Sequence, residues 1–295
     1  MFSKKQLKGK RETMHNSICV IRRILRDESN KGQRFRRLLM SVGWQIWKRT
    51  IAKPIVATLF NNCRFIADPD CQVSSGVFYF RVPDSREVKV LRRWLDGGVL
   101  IDVGSNVGLF ALSLADKVDH AILFEANPLV ALRARENMAL NSLDFEVNAT
   151  ALSDAQGEIY LEDRGKATVA NRTLLDPATT TYPVRRVPRT TLDIFLKNRL
   201  KPIENLSVIK IDVEGHENSV IKGMSSTLTE LRPKIVMFEY LQRTKFHETQ
   251  KLFGAVGYRI YRLDKRNEFI EVVGQPDPLQ NLFALRGDTE PQTGE

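Results

Sequence analysis

The sequence predicts an α/β protein built on a mostly parallel, doubly wound sheet, preceded by a helical extension. Three observations carry that expectation. Between Glu87 and Leu285 short apolar runs alternate with longer helical segments, the pattern of parallel strands covered on both faces by helices. The later runs are apolar almost throughout, as doubly covered strands are. The composition, 42% hydrophobic and 27% charged over 295 residues, is that of an ordinary globular chain, with neither the bias of disorder nor that of a disulfide-stapled scaffold.

Residues 1–60 read as a basic helical extension. Ile18, Ile21, Ile24 and Leu25, then Phe35, Leu38, Leu39, Val42, Trp47 and Ile51, recur at roughly helical spacing among Arg22, Arg23, Arg26, Arg34, Arg36 and Arg37. Such helices either pack on the body as a solvated extension or lie on anionic membranes. Pro54 limits continuation of the helix, and strand structure is expected around Val77–Phe80. Residues 61–286 form the expected main domain. Within it, helices are read at Glu87–Leu95, Leu109–Lys117, Pro128–Asn141, Leu192–Leu200, Glu217–Leu228 and Lys245–Ala255. Strands are read at Val99–Val103, Ala121–Glu125, Phe145–Leu152, Leu206–Val213, Ile235–Tyr240, Tyr258–Leu263 and Asn281–Arg286. Gly157–Arg189 is less regular, with strand-like text rich in Thr and Pro, and residues 287–295 read as a flexible tail.

The formal charge of +10 is unevenly placed. Residues 1–50 hold 14 Lys/Arg against 3 Asp/Glu, leaving 31 against 32 for the rest, so the basicity belongs to the extension. A nucleic-acid-binding body would need a basic face of its own, and nucleic acid is therefore not an expected partner. Cys19, Cys63 and Cys71 are odd in number and form no C-x-x-C, which suggests neither a disulfide framework nor a zinc site and points to the reducing cytosol. The apolar neighbourhood from Leu38 to Phe60 is interrupted by Lys48, Arg49 and Lys53, which argues against a spanning helix, and the Lys-rich start lacks a secretory core. The expectation is a cytoplasmic protein, with peripheral membrane contact through residues 1–50 left open.

Ligands of doubly wound sheets sit beyond the carboxyl ends of the strands. Here four apolar runs carry an acid at or near that end: Asp102, Glu125, Asp212 and Glu239. Any one of them would be an ordinary solvated or capping carboxylate. Four at matching places require compensation, because buried unpaired charge is costly. The loop Asp102-Val-Gly-Ser-Asn-Val-Gly108 leads into a helix, and its glycines let a ligand approach backbone N–H groups. The spacing Gly104-x-x-x-Gly108 does not meet the dinucleotide fingerprint, and so acidic a setting would repel a pyrophosphate. A cationic cofactor with ribose hydroxyls suits it.

These residues resemble the FkbM family of S-adenosylmethionine-dependent methyltransferases. The resemblance is carried by Asp102–Gly108, Phe124-Glu-Ala-Asn-Pro128, Ala151-Leu-Ser-Asp154, Thr191-Leu-Asp193, Asn281-Leu-Phe-Ala284 and above all Ile209-Lys-Ile-Asp-Val-Glu-Gly-His-Glu217. It covers roughly residues 76–286 and leaves residues 1–60 outside. Ser105 stands where the family often has Ala. The resemblance implies a class I methyltransferase (Rossmann-like) fold, S-adenosyl-L-methionine as cofactor, and O-methylation of hydroxyls on sugars, glycans or polyketide-type products. It also implies that Asp102, Gly104, Asn106 and Gly108 hold the methionine part, Glu125 the ribose, and Ala151 and Leu152 the adenine.

The remaining roles come from pattern. Lys210 and Asp212 point from one face of an otherwise apolar strand, which is either a buried structural ion pair or part of the working site. His216 follows on the next turn, and its ordinary pKa suits proton abstraction near neutrality. The expected acceptor is a hydroxyl of a carbohydrate, glycolipid or related small metabolite, with His216 as first candidate base and Asp212 as second. Lys210 and Glu239 complete the acceptor side. Asp212 and Glu239, on neighbouring strands, are alternatively ligands of a divalent metal that acidifies the hydroxyl. The rival from another class is a non-catalytic binding protein that uses the basic helices on nucleic acid or anionic membrane.

Overall fold

The computed structural model describes residues 19–162, 173–174, 176–242 and 244–287. Helix α1 (19–26) and helix α2 (Arg34–Thr50) open the chain, followed by an antiparallel hairpin of β1 (Ile55–Thr58) and β2 (Arg64–Ala67). Helices α3 (Gln72–Tyr79) and α4 (Ser85–Trp94) lead to β3 (Val99–Val103), α5 (Leu109–Leu114), β4 (His120–Phe124), α6 (Pro128–Leu140) and β5 (Glu146–Asn148). Strands β6 (Ala151–Leu152), β7 (Gly157–Glu162), β8 (Thr173–Leu174) and β9 (Val184–Thr190) come next. The chain closes with α7 (Leu192–Lys197), β10 (Leu206–Ile211), α8 (Glu217–Lys222), β11 (Ile235–Tyr240), α9 (Phe246–Ala255), β12 (Tyr258–Leu263), β13 (Phe269–Glu271) and β14 (Gln280–Arg286).

Eight strands form the central sheet in the order β13-β12-β14-β11-β10-β3-β4-β5. Strands β5, β4, β3, β10 and β11 run parallel, and β14 is wedged antiparallel between β11 and β12. The strand order reverses between β3 and β10, and it is there that a crevice opens at the carboxyl ends. Alternate residues feed two cores, as a pleat requires. Leu100, Leu123, Val208 and Met237 pack with Phe78, Leu91 and Leu112 on one face. Ile101, Ile122, Ile209 and Phe238 pack with Leu192, Ile221 and Phe253 on the other. A second sheet, β6-β9-β7-β8, stands beside the crevice.

Most of the expected elements are present, and the differences have identifiable causes. In place of the strand expected around Val77–Phe80, Val77–Tyr79 end α3 and Phe80 is its extended cap, because Ser74, Val77 and Phe78 are buried at helical spacing and Phe78 stacks on Trp44 of α2 at 4.3 Å. Tertiary packing here overrides the aromatic and β-branched bias toward strand. The expected strand Phe145–Leu152 is split, with Glu146–Asn148 on the edge of the central sheet and Ala151–Leu152 in the second sheet. Within residues 1–60 the helical reading holds for α1 and α2 but gives way to β1 after Pro54, and residues 1–18 lie outside the described ones. The helix expected to run to Leu228 ends at Lys222 and resumes as a π-helical turn, Thr227–Leu231. The irregular Gly157–Arg189 stretch contributes β7, β8 and β9, with 163–172 and 175 outside the described residues, as is the expected tail from 288 onward. Among the described residues no helix is long and apolar enough to cross a membrane. Cys19, Cys63 and Cys71 are free thiols.

Gly223, just after α8, marks the joint between the two sheets: a Cβ there would lie 1.9 Å from the Ser153 carbonyl oxygen. Gly223→Ala is expected to lower stability by at least about 2 kcal/mol, because the obstacle is backbone that cannot rotate aside. Urea titration of the variant against the parent checks this, and an unchanged midpoint contradicts it.

Candidate active site

The crevice is organised by a cation. Lys210 of β10 is the register partner of Asp102 on β3, so their side chains leave the sheet side by side on one face. Lys210 Nζ lies 3.3 Å from Asp102 Oδ1 and 3.4 Å from Asp212 Oδ2, and it donates to the Gly104 carbonyl at 2.9 Å. The Phe110 ring centroid is 5.8 Å away. Burial alone would pull the Lys210 pKa down, but the Asp102 and Asp212 charges outweigh it and hold the pKa above the ordinary lysine value. Asp102 is fully buried, and burial raises its carboxyl against the pull of Lys210. The buried ion pair read as one of two alternatives for Lys210 is present, and the ammonium still lines the cleft.

The loop after β3 is held in place from both sides. Gly104 and Ser105 N–H groups donate to the Phe124 carbonyl at 2.9 and 3.0 Å, tying the loop to the end of β4. Gly104 has φ +73°, and a Cβ on it would lie 1.8 Å from the Asp212 carbonyl oxygen, so two strand-end loops touch at a point where only glycine fits. Glu125 closes the next loop. Its two oxygens accept from the Asn106 and Asn127 backbone N–H groups at 3.0 and 2.8 Å, which aims a partly exposed carboxyl along the cleft wall. Burial dominates these bonds and lifts its pKa to about 7. Val103, Phe124, Ala126, Val130, Ala151, Leu152 and Leu161 make the wall apolar on that side.

On the other side the cleft is acidic. Carboxylate oxygens of Asp212, Glu214 and Glu239 lie within 4.8 Å of one another. Burial first, then the Asp212 and Glu214 charges, push the Glu239 carboxyl up to about 8. Its Oε2 is shielded from water, with no hydrogen-bond partner. Three carboxylates at this spacing are a donor set that suits a hard divalent cation.

Of the residues expected in the site, Gly104, Asn106, Glu125, Ala151, Leu152, Lys210 and Asp212 line one cleft. Asp102 and Gly108 do not. Asp102 stands behind Lys210, and Gly108 has φ +78° at the start of α5, where a Cβ would press on Met138. Glu239 does not line the cleft either; its carboxylate lies within 4.8 Å of those of Asp212 and Glu214, which do. His216, the first candidate base, does not line the cleft; its Nε2 lies 2.9 Å from Ser153 Oγ, at the junction with the second sheet. Burial lowers its pKa. Glu214 was given no role by the sequence although it continues the period-two run through Lys210 and Asp212. It turns into the cleft because the chain leaves β10 through a left-handed residue there, φ +57°. Asp84, also on the wall and left-handed at φ +47°, carried no sequence signal.

A doubly wound sheet with a reversed strand near one edge, and an acid-lined cleft beyond β3, β4 and β10, defines a class I methyltransferase fold. Residues 102–260 match the Methyltransferase FkbM domain family, and the chain belongs to that family. Over 162 residues it is 32% identical to the hexuronic acid methyltransferase AglP of Haloferax volcanii, a match covering 53% of this chain and 64% of that protein. The chain therefore spans slightly less than two thirds of that relative. Among solved structures it is similar to a methyltransferase FkbM from Methylobacillus flagellatus, at 15% identity and TM-score 0.41 over 72% of this chain and 54% of that one. It is also similar to the Pyrococcus abyssi tRNA (uracil-54, C5)-methyltransferase in complex with S-adenosyl-L-homocysteine, at 15% identity and TM-score 0.43 over 79% and 44% of the two chains.

Two outcomes follow from the charges. Lys210→Met leaves Asp102 buried without its cation and is expected to cost about 3–5 kcal/mol at neutral pH, read from urea unfolding. For Glu239 the folded pKa of about 8 stands above its ordinary 4.5, so the folded state keeps a proton that the unfolded state releases. The stability this confers is complete below 4.5 and is lost as the pH climbs to about 8. Melting curves of the ligand-free protein should fall by a few degrees across that window, and Glu239→Gln should flatten the fall. A Glu239→Gln profile parallel to the parent's contradicts the assignment.

Proposed function

We propose that this cleft binds S-adenosyl-L-methionine and directs its methyl group to a hydroxyl of a carbohydrate, glycolipid or related metabolite. The observation that carries the reading is the pairing of Glu125, oriented by two backbone amides, with an acidic far wall. The residues fit the cofactor. Glu125 has lone pairs left for a ribose diol. Ala151, Leu152 and Phe124 offer an apolar slot for a planar base. Gly104 and Asn106 line the cleft beside carboxylates that favour an amino group and a positive sulfur. Bound there, the cofactor supplies a methyl on a sulfonium, ready for in-line displacement.

The chain's own work is then positioning and proton removal. Asp212 and Glu214, with Glu239 next to them, stand by the part of the crevice that the β3 and β4 loops leave free, which suits an acceptor. A hydroxyl attacks poorly while protonated, so a base is needed. Glu239, with a proton affinity near neutrality, fits that role better than His216, which is engaged with Ser153. Lys210 stays charged and holds Gly104 and Asp212 in register, a positioning role. The same three carboxylates would hold a divalent metal, whose chemistry would be to acidify the hydroxyl. The resemblance to a hexuronic acid methyltransferase supports a sugar-type acceptor.

Glu125→Ala should weaken S-adenosylhomocysteine binding by about 1–3 kcal/mol in calorimetry, the scale of a lost buried polar partner, and unchanged affinity would remove Glu125 from the site. Labelled S-adenosylmethionine with fractionated glycans should yield a methylated product. Glu239→Gln should lower turnover by about 10²–10⁴-fold with cofactor affinity nearly unchanged. Loss of turnover on adding a chelator, restored by a divalent salt, would replace the base with the metal. Cofactor binding with no turnover on any fraction would return the binding-protein reading.

A further inference from the structure

Helix α2 faces the wrong way for a helix that serves only the core. Its packed side presents Arg37, Ser41, Trp44 and Lys48 to α3 and its surroundings: Arg37 donates to the Val77 carbonyl at 3.0 Å, and Trp44 Nε1 donates to Ser75 Oγ at 3.0 Å. The opposite side carries Phe35, Leu39, Val42 and Ile46, spaced four, three and four residues apart and therefore in one stripe along the helix. All four are exposed, at 74, 58, 56 and 57%. Ile21 and Leu25, one turn apart on α1, are exposed as well. Single exposed apolar residues are commonplace, but an aligned row of four large ones on the outward face of a helix marks an interaction surface.

We propose that this face is a docking surface for an anionic lipid bilayer. Charge decides the partner. Residues 19–50 carry nine Lys/Arg against two Asp/Glu, and Arg34, Arg36 and Arg49 border the apolar stripe, all of them exposed. An apolar stripe edged by arginines matches an interface in which side chains enter the acyl boundary while guanidinium groups reach the headgroups. Nucleic acid would engage the arginines but give the stripe no place, since its affinity comes from phosphate contacts. A second copy would cover the stripe while setting two like-charged borders against each other. Helix α3, on which α2 packs, contributes Val73 to the cleft wall, so one helix stands between the lipid-facing helix and the cleft.

The test is cosedimentation of the full chain with phosphatidylserine–phosphatidylcholine vesicles and with pure phosphatidylcholine vesicles. Binding is expected only to the anionic set and should weaken as salt is raised. Phe35→Glu with Leu39→Glu should lower partition at least about tenfold, with S-adenosylhomocysteine binding and circular dichroism unchanged. Should that variant misfold, Arg34→Gln, Arg36→Gln and Arg49→Gln together test the charge half of the surface alone and should give a similar loss. The proposal is overturned if the wild type ignores anionic vesicles, or if both variants bind them as well as the parent does. A dimer in light scattering that the Phe35 and Leu39 changes dissolve, without vesicle binding, would assign the face to a second copy. Binding to a DNA duplex with no vesicle binding would assign the arginines to nucleic acid.

Discussion

The cleft depends on one buried cation placed among carboxylates. Lys210 and Asp102 are neighbours by strand register, so the pairing is fixed as soon as β3 and β10 lie side by side. Neither charge is tolerable alone at that depth: an ion stripped of water needs a partner, and removing one leaves the other uncompensated. The pairing then propagates outward. The same ammonium binds the Gly104 carbonyl and faces Asp212, while the bare Cα of Gly104 rests against the Asp212 backbone. Lys210, itself on the cleft wall, thus ties the two loops together above the buried Asp102. Asp102, expected among the cofactor contacts, is buried behind Lys210.

That arrangement leaves the mouth of the sheet short of positive charge. Glu125 at about 7 and Glu239 at about 8 are carboxyls that burial and like charges keep partly protonated near neutrality. A fold selected for stability alone would replace such groups or pair each with a lysine or arginine. Here Lys210 answers Asp102 and Asp212, while Asp212, Glu214 and Glu239 crowd within 4.8 Å. The strain is local to the strand ends, where ligands of this architecture sit, and a cationic ligand would relieve it. Perturbed carboxyls on one side and an apolar slot on the other make the two walls chemically unlike, which is what a cofactor and an acceptor sharing one crevice require.

What the sequence made legible follows from how local each signal is. Strand β10 announces itself because each of its residues, Leu206 to Ile211, is buried, and Lys210 stands out against that background. Glu125 is legible from its place directly after β4. The failures are of contact. Val77–Phe80 reads as strand because its residue types favour one, whereas burial of Ser74, Val77 and Phe78 and the stacking of Phe78 on Trp44 go with helix through Tyr79. The break after Asn148 depends on two separate sheets each claiming part of one run. The place of the His216 ring is likewise set by a distant contact, with Ser153 more than sixty residues earlier. Glu214 enters the cleft through one left-handed residue that no periodicity encodes.

The N-terminal helices show the same limit from the other direction. Periodicity finds apolar residues on α2 but cannot tell which face the body will cover, and the face it covers is the one that carries Trp44 among Arg37, Ser41 and Lys48. Trp44 belongs to the same cluster of buried residues as Leu100 and Leu123 of the central sheet, and the fully buried Asn30 donates to the Ile24 and Tyr79 carbonyls. The extension is therefore built into the core by its polar-looking side, and removing it would uncover Val77 and Phe78 as well as remove charge. Anchoring the inner face so firmly leaves the outer row of Phe35, Leu39, Val42 and Ile46 without a role in holding the fold. The two faces of α2 thus do different work: the inner one holds the extension to the core through Trp44 and Arg37, and the outer one is free to meet a partner.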